Sequence, residues 1–359
     1  MNNSKGNAEC WFLDVGQGSS AVLLLGQGRA IVIDAGPKGS MVPLQLLKRH
    51  AIVIEALILS HNDADHDGGV ARVFAAFPNA VRGLYFLVDR PIAGIKTFRL
   101  SQHELVNNRL SCEPQRLEAC PFPRVLFSDR AASIELRVLY PNFRENMESQ
   151  GAADQHNRTS GVLVLSCGVR RIVFAGDVNI HAWEAIASRM ESQLPLKCDI
   201  MTAPHHGAAL HEPEIRGSKS HGYARNADAV KRVYSEITDP KFVVISAGTS
   251  NQHGHPDPET VAMLRQLGKG IVCTQITPKC CESVESLRPG VIDPVWPSQS
   301  SPDEFLTHAG RSKDVACAGS IIAEIGPDQV VLSAWTEHQE QVNRLAANGV
   351  LHPLCRPML

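Results

Sequence analysis

Short apolar runs separated by glycine-rich turns dominate the first third of the chain. Cys10–Val15 and Ser20–Leu25 flank Gly16-Gln17-Gly18, and Ala30–Asp34 follows Gly26-Gln27-Gly28, a pattern that predicts a hairpin-rich opening. Leu44–His50 reads as a short helix, Ala56–Ser60 as a buried strand and Val70–Phe77 as a second helix. Strand, loop, helix is the order that presents side chains at a sheet edge. Gly83–Leu87 and Ser133–Tyr140 read as further strands. Between them, about residues 90–130, Cys112, Pro114, Cys120, Pro121 and Pro123 interrupt any periodicity, which predicts a surface excursion able to shape a substrate lip.

The second half repeats the theme. Ser160–Ser166 and Arg171–Ala175 form a hairpin around Cys167-Gly168, Asp199–Ala203 and Phe242–Ala247 are later strands, and Pro258–Leu267 is a helix. Residues 278–316 are rich in Pro and Ser with little periodicity. Ser320–Ile325 and Val330–Trp335 then flank Gly326-Pro327-Asp328-Gln329 as a hairpin. The expected organisation is α/β, with a main domain over 1–275 carrying a surface insertion near 90–130. A Cys- and Pro-containing tail, 276–359, returns its hairpin to that domain.

Composition narrows the class. At 359 residues, 43% hydrophobic and 20% charged, the chain can bury the core of one elaborated fold and is not expected to be disordered. A net charge of -2 exerts no global pull on nucleic acid, so any polyanion must meet locally placed cations. No apolar run approaches the ~20 residues that span a bilayer, and the polar start Met1–Glu9 lacks the apolar core of a signal peptide. A soluble, cytoplasmic protein without a membrane partner is expected; the sequence does not indicate its oligomeric state. The 10 cysteines, scattered apart from Cys280-Cys281, do not form the framework of a small secreted domain, and most are expected to be reduced.

The chemistry concentrates in His61-Asn62-Asp63-Ala64-Asp65-His66-Asp67, two histidines and three carboxylates directly after the largely apolar run Ile52–Leu59. So many lone-pair donors repel one another without a cation between them. A strand ending here would aim His61 and Asp63 one way and Asp65 and His66 another, which suits two ions. A polar loop that merely capped a helix near Asp67 would need one Asp or Ser.

This run resembles the His-x-His-x-Asp-His signature of the metallo-β-lactamase superfamily, with Asp63 at the second His position. That replacement and the following Gly68-Gly69 are similar to the ComEC-like branch, which includes the hydrolase domain of DNA-uptake channel proteins. Further segments match that branch in order: Asp14-Val15-Gly16-Gln17-Gly18, Ile33-Asp34-Ala35-Gly36, Phe174-Ala175-Gly176-Asp177, Ala203-Pro204-His205-His206-Gly207, and Ser246-Ala247-Gly248 through Asn251 to Gly254-His255-Pro256. The resemblance covers residues 10 to about 270. It implies a metallo-β-lactamase αββα sandwich, two mixed β-sheets with helices on the outer faces.

Carried over by position, the resemblance implies that His61 and Asp63 hold one ion, that Asp65, His66 and one of His205 and His206 hold a second, and that Asp177 bridges them. His205 is favoured as ligand, being nearer the strand end, with His206 facing substrate or supporting the ligands. Asp14 and Asp34 are expected to fix loops or ligands. Asn157 and Ser160 match the branch where many members carry another histidine ligand, so His156 reads as incidental. Carboxylate in place of imidazole at Asp63 hardens the site toward Mn²⁺ or Mg²⁺ without excluding Zn²⁺. Two such ions would generate hydroxide near neutral pH and clamp an attacked phosphoryl oxygen. The expected catalytic set is therefore Asp65, His206 and His255.

His255 matches a substrate-side histidine of the branch, as a phosphate contact or proton donor, which is favoured over the alternative of a cap for the helix Pro258–Leu267. Arg216, Lys219, Arg225, Lys231 and Arg232 form a basic loop, made flexible by Gly217 and Gly222 and opposed only by Asp228, in which Arg225, Lys231 and Arg232 can track a nucleic-acid backbone or simply be solvated. The resemblance implies a metal-dependent phosphodiesterase or nuclease acting on DNA or RNA, without the channel and hence without transport. The alternatives are hydrolysis of a small substrate (a cyclic nucleotide, lactone or thioester) and a partner-dependent subunit of a multiprotein defence system. Cys273, Cys280, Cys281, His308 and Cys317 raise a structural zinc site in the tail against buried or surface thiols.

Overall fold

The computed structural model describes residues 8–148, 158–191, 196–210, 221–251, 253–280, 314–332, 335–347, 353 and 355. The strands, in chain order, are β1 (Ala8–Phe12), β2 (Ala21–Gly26), β3 (Arg29–Ile33), β4 (Val53–Leu59), β5 (Leu84–Phe86), β6 (Pro114–Arg116), β7 (Arg124–Asp129) and β8 (Ile134–Tyr140). They continue with β9 (Val162–Cys167), β10 (Arg170–Phe174), β11 (Ile200–Thr202), β12 (Phe242–Ile245), β13 (Gly270–Cys273), β14 (Ile321–Ile325) and β15 (Val330–Leu332). One sheet of eight runs β15-β14-β1-β2-β3-β4-β5-β6, and one of seven runs β13-β12-β11-β10-β9-β8-β7. Both are mixed. β3, β4, β5 and β6 run parallel in the first, as do β10, β11, β12 and β13 in the second.

Alternation along the strands explains the layering. In β1, Cys10 and Phe12 face a central core shared with Leu136, Leu165, Phe174 and Val244 of the second sheet. Trp11, like Ala30 and Val32 of β3, faces outward under α1 (Val42–His50) and α3 (Val70–Ala76). On the other side Val173 of β10, with Val243 and Ile245 of β12, packs under α6 (Ile180–Arg189) and α8 (Pro258–Gln266). This is the αββα arrangement.

Two expectations change. The segment about 90–130 is not featureless: it holds α4 (Lys96–Val106) together with the edge strands β6 and β7. The buried residues of α4 are Thr97, Ser101 and Glu104, so no apolar stripe marks it in the sequence. The basic stretch, expected as a flexible loop, is helical over α7 (His221–Arg232), while residues 211–220 lie outside the described residues. In the tail, β14 pairs along all of β1, Ala8 with Ile325 through Phe12 with Ile321, so the tail and the chain's opening share one sheet. The short helix α2 (Ala64–Asp67) and α5 (Phe143–Glu148) complete the first half, and α9 (Trp335–Ala347) follows β15.

The Gly68-Gly69 pair has a steric reason. A Cβ on Gly69 would lie 2.2 Å from the Ala35 carbonyl oxygen, and one on Gly68 2.2 Å from the Lys38 amide. This close approach carries the hydrogen bonds from Ala35 N–H to His66 O (2.8 Å) and from Gly69 N–H to Gly36 O (3.0 Å). Gly69→Ala is therefore expected to cost about 1–3 kcal/mol of stability, read as a lowered melting temperature. An unchanged melting curve would mean that the two loops are not held this tightly.

Candidate metal centre

The parallel strands deliver the site. Asp34 follows β3 and His61 follows β4 in one sheet; Asp177 follows β10, His205 and His206 follow β11, and Ser246 follows β12 in the other. All lie beyond carboxyl ends of strands, where open α/β sheets place ligands. Ser246 Oγ donates to Gly18 O (2.7 Å) across the gap between the sheets, and within the first sheet's loops Ser19 N–H donates to Asp65 O (3.2 Å). His205 and His206 hold left-handed backbone, φ 48° and 56°. Two consecutive non-glycine residues in that region are strained, which the tight turn after β11 imposes.

Hydrogen bonding sets the histidine tautomers. Buried Asp34 accepts from Ser60 N–H (2.7 Å) and Ser60 Oγ–H (2.8 Å), and its Oδ2 lies 2.7 Å from His66 Nδ1. His206 Nδ1 donates to Ser246 O at 2.8 Å. His61 Nδ1 lies 3.1 Å from Ser60 Oγ and 3.3 Å from Ser160 Oγ, and Ser160 Oγ in turn accepts from Asp177 N–H (2.9 Å). Each ring thus turns Nε2 inward. All three Nε2 atoms are buried without a hydrogen-bond partner among the described residues.

Between them stands Asp177, 3.7 Å from His61 Nε2, 3.4 Å from His66 Nε2 and 3.7 Å from His206 Nε2. Asp65 Oδ2 is 3.4 Å from His206 Nε2 and 4.0 Å from His66 Nε2. Two groups, His61/Asp65/His66 and His66/Asp177/His206, bring their ligand atoms within 4.8 Å of one another. Orphaned imidazole nitrogens facing carboxylates across contacts too long for a strong hydrogen bond are what divalent cations fit, since each separation leaves room for an ion at about 2 Å from both atoms.

The charges agree. Burial alone would push the Asp177 carboxyl up, yet His66, His206 and His61 hold it well below the usual carboxylate range. Burial would push the His66 and His206 imidazolium forms down, but Asp177 dominates the opposing pull and both are raised; Asp34 adds to it at His66 and Asp65 at His206. At His61, burial and the charge of His66 prevail over Asp177, and its pKa is lowered.

Not every residue expected from the sequence sits equally close. His206 belongs to a tight ligand group, whereas His205 is about one-third exposed with Nε2 3.9 Å from Asp177, so the geometry favours His206 over His205. Asp63 is the most exposed of the acids, 3.7 Å from His61 Nε2. Asp14 accepts from Gln275 Nε2 (2.7 Å) while its amide donates to Ser320 Oγ (2.9 Å), tying the first loop to the segments flanking the tail. Asn157 and the Arg225 side chain lie outside the described residues. Lys231 lines a groove with Asp228 and Glu259, and Arg232 pairs with Glu236 at 3.2 Å.

His255 stands beside the pair, its ring centroid 5.1 Å from that of His205 and 6.2 Å from that of His206. It is not the cap of α8: Asp257 is, accepting from Thr260 N–H at 2.8 Å. Sequence reasoning missed the support given by α4 and by β5's following loop. Buried Asp67 is reached by Lys96 Nζ (3.4 Å) and Thr97 Oγ1 (3.3 Å), and Asn62 Nδ2 donates to Asp89 (2.8 Å). No spacing could link those positions, although Asp67 as a fifth ionisable group in the run was a signal.

An αββα sandwich with histidines and carboxylates gathered at the strand ends defines a metal-binding hydrolase fold. Residues 13–210 match the metallo-beta-lactamase superfamily, and the chain belongs to it. It is 47% identical over 73 residues to Recombination protein 2 of Haemophilus influenzae, a match covering 19% of this chain and 9% of that protein. It is 24% identical over 268 residues to Competence protein ComA of Neisseria gonorrhoeae, covering 74% and 30%. The chain therefore spans less than a third of either relative. Among solved structures, the metallo-beta-lactamase fold protein YhfI from Bacillus subtilis aligns at 11% identity with a TM-score of 0.44, covering 74% of this chain and 95% of that one. Among the described residues no helix is long and apolar enough to cross a membrane.

Proposed function

We propose that this superfamily hydrolase is a metal-dependent phosphodiesterase acting on DNA or RNA. The observation that carries the metal dependence is the set of three buried, unpartnered Nε2 atoms around Asp177. The choice of phosphodiester substrate is supported by the ComEC-like pattern of the ligand loops and by relatives named for recombination and competence. His61 and Asp63 would hold one ion and Asp65, His66 and His206 a second, with Asp177 between them. Zinc or manganese suits this mixed donor set, and magnesium is compatible with its carboxylates. When bound, such ions would supply Lewis acidity to activate water and to offset charge at a phosphoryl group.

The chain's own residues do the rest. Asp34 and Ser60 hold His66 and His61 in the tautomer that leaves Nε2 free, and Ser246 O does the same for His206. Burial, with His205, His206 and His253 nearby, pushes His255 down to about 4 against the pull of Asp177. Its ring is therefore neutral at pH 7 and offers an N–H to a phosphoryl oxygen. His255→Ala is expected to retain full metal content while lowering turnover by about 10²-fold or more. A nitrophenyl phosphodiester tests this: equal loss on it is expected of a phosphate contact, whereas sparing would mean proton donation to the leaving oxygen and contradict a ring that is neutral at pH 7. Loss of metal in this variant would make His255 a ligand.

The substrate test is direct. Labelled single- and double-stranded DNA, RNA and cyclic dinucleotides are each incubated with the protein and Mn²⁺, Mg²⁺ or Zn²⁺. Metal-dependent cleavage of nucleic acid is expected. Turnover confined to small substrates would overturn the proposal.

A further inference from the structure

A second set of metal-ligating side chains lies apart from the strand-end site, at the far edge of the seven-stranded sheet. Cys273 is the last residue of β13, the edge strand. The segment entering β14 runs alongside it: Ala318 N–H donates to Cys273 O and Cys317 N–H to Thr274 O, both at 3.0 Å. Cys317 Sγ in turn lies 3.4 Å from His338 Nε2 on α9. The buried thiol of Cys355, near the end of the chain, lies beside those of Cys273 and Cys317. The four residues are 3%, 5%, 0% and 3% exposed in the order Cys273, Cys317, His338, Cys355. They come from four separate stretches of sequence, and the last three tie the tail to the sheet.

Thiols are poor hydrogen-bond partners, so a dry cluster of three gains little from packing polar sulfur against polar sulfur. The neighbouring amide points the same way. Gln339 places Nε2 3.4 Å from His338 Nδ1 and leaves its Oε1 buried and unpartnered among the described residues. The two ends of an amide are alike in shape. Turned over, Gln339 accepts from His338 Nδ1–H, which leaves the Nε2 lone pair facing Cys317, as the outer partner of a metal-bound histidine does.

We propose that Cys273, Cys317, Cys355 and His338 bind a structural zinc ion that clamps the C-terminal segment to the edge of the second sheet. Three sulfurs and one imidazole nitrogen form a closed tetrahedral set with no open position for substrate. The thiols lose their protons to solvent on binding. Cys280, also buried and hydrogen-bonding distance from Thr277 Oγ1 (3.8 Å), is a neighbour and not a ligand. The clamp has a structural consequence: Trp335, one turn before His338, packs edge-on against Phe242 of β12 with ring centroids 5.2 Å apart. Zinc would hold that helix against the strand that leads to Ser246 and His255.

Cobalt replacement in the full chain tests this independently of the strand-end site, whose ligands include no sulfur. The wild-type cobalt protein is expected to show an intense near-ultraviolet thiolate-to-cobalt band. That band should persist in His66→Ala and Cys280→Ser, and disappear in Cys317→Ser and Cys355→Ser with loss of one equivalent of zinc. The wild-type spectrum decides the matter even where a serine variant fails to fold. Absence of the band in wild-type protein whose thiols titrate as reduced would overturn the proposal. So would a disulfide joining any two of Cys273, Cys317 and Cys355, or a band lost in Cys280→Ser yet kept in Cys355→Ser.

Discussion

Asparagine in place of Asp177 is expected to leave a folded protein that cannot hold its metals. The change keeps shape and removes the charge that faces three inward imidazole nitrogens at 3.4–3.7 Å. Replacing outer partners of metal ligands typically costs about 10–100-fold in affinity or activity, and a shared ligand should exceed that range. The three hydrophobic cores extend far beyond the site, so a cooperative melting transition should remain. Its midpoint in the metal-free state should fall, because three imidazoles then lose the carboxylate that offsets their burial. Metal analysis beside a melting curve checks both halves. Wild-type metal content in Asp177→Asn would remove the residue from the centre.

The second large effect separates adjacent histidines. His206→Ala is expected to lose metal and activity together, because its Nε2 faces Asp65 at 3.4 Å and its Nδ1 is fixed by Ser246 O. His205→Ala should keep its metal and change mainly the affinity for substrate, since its ring is partly exposed beside His255. The opposite pattern would restore the order that the sequence alone favours. Because both residues hold left-handed backbone, glycine at either position provides a control that relieves strain while deleting the ring.

Much of this was legible in the chain because the relevant signals are local. The run from His61 to Asp67 sits at a strand end, and alternating apolar residues around it announced β3, β4, β9 and β10. Which of two neighbouring histidines points inward was not legible. That depends on a tight turn and on Ser246, 40 residues away, which no spacing encodes. The helix α4 escaped notice because its buried side chains are Thr97, Ser101 and Glu104, of which Thr97 reaches Asp67, while its apolar Phe98, Leu100 and Leu105 are only partly buried against the core. The tail's thiol cluster was half visible. Cys273 and Cys317 stood out, but His338 and Cys355 join them only through the fold, from α9 and from a position well beyond it in the sequence. His308, the imidazole that composition suggested, lies outside the described residues.

The measurement that bears most directly on the proposed function is metal add-back to chelator-stripped protein, following cleavage of a labelled nucleic acid. Stripped protein should be inactive, and activity should return with Mn²⁺ or Zn²⁺ as two ions per chain are restored to the centre, but not in Asp177→Asn. Undiminished cleavage by the stripped protein, or recovery in Asp177→Asn equal to wild type, would contradict a phosphodiesterase that works through metals held between His61, His66, His206 and Asp177.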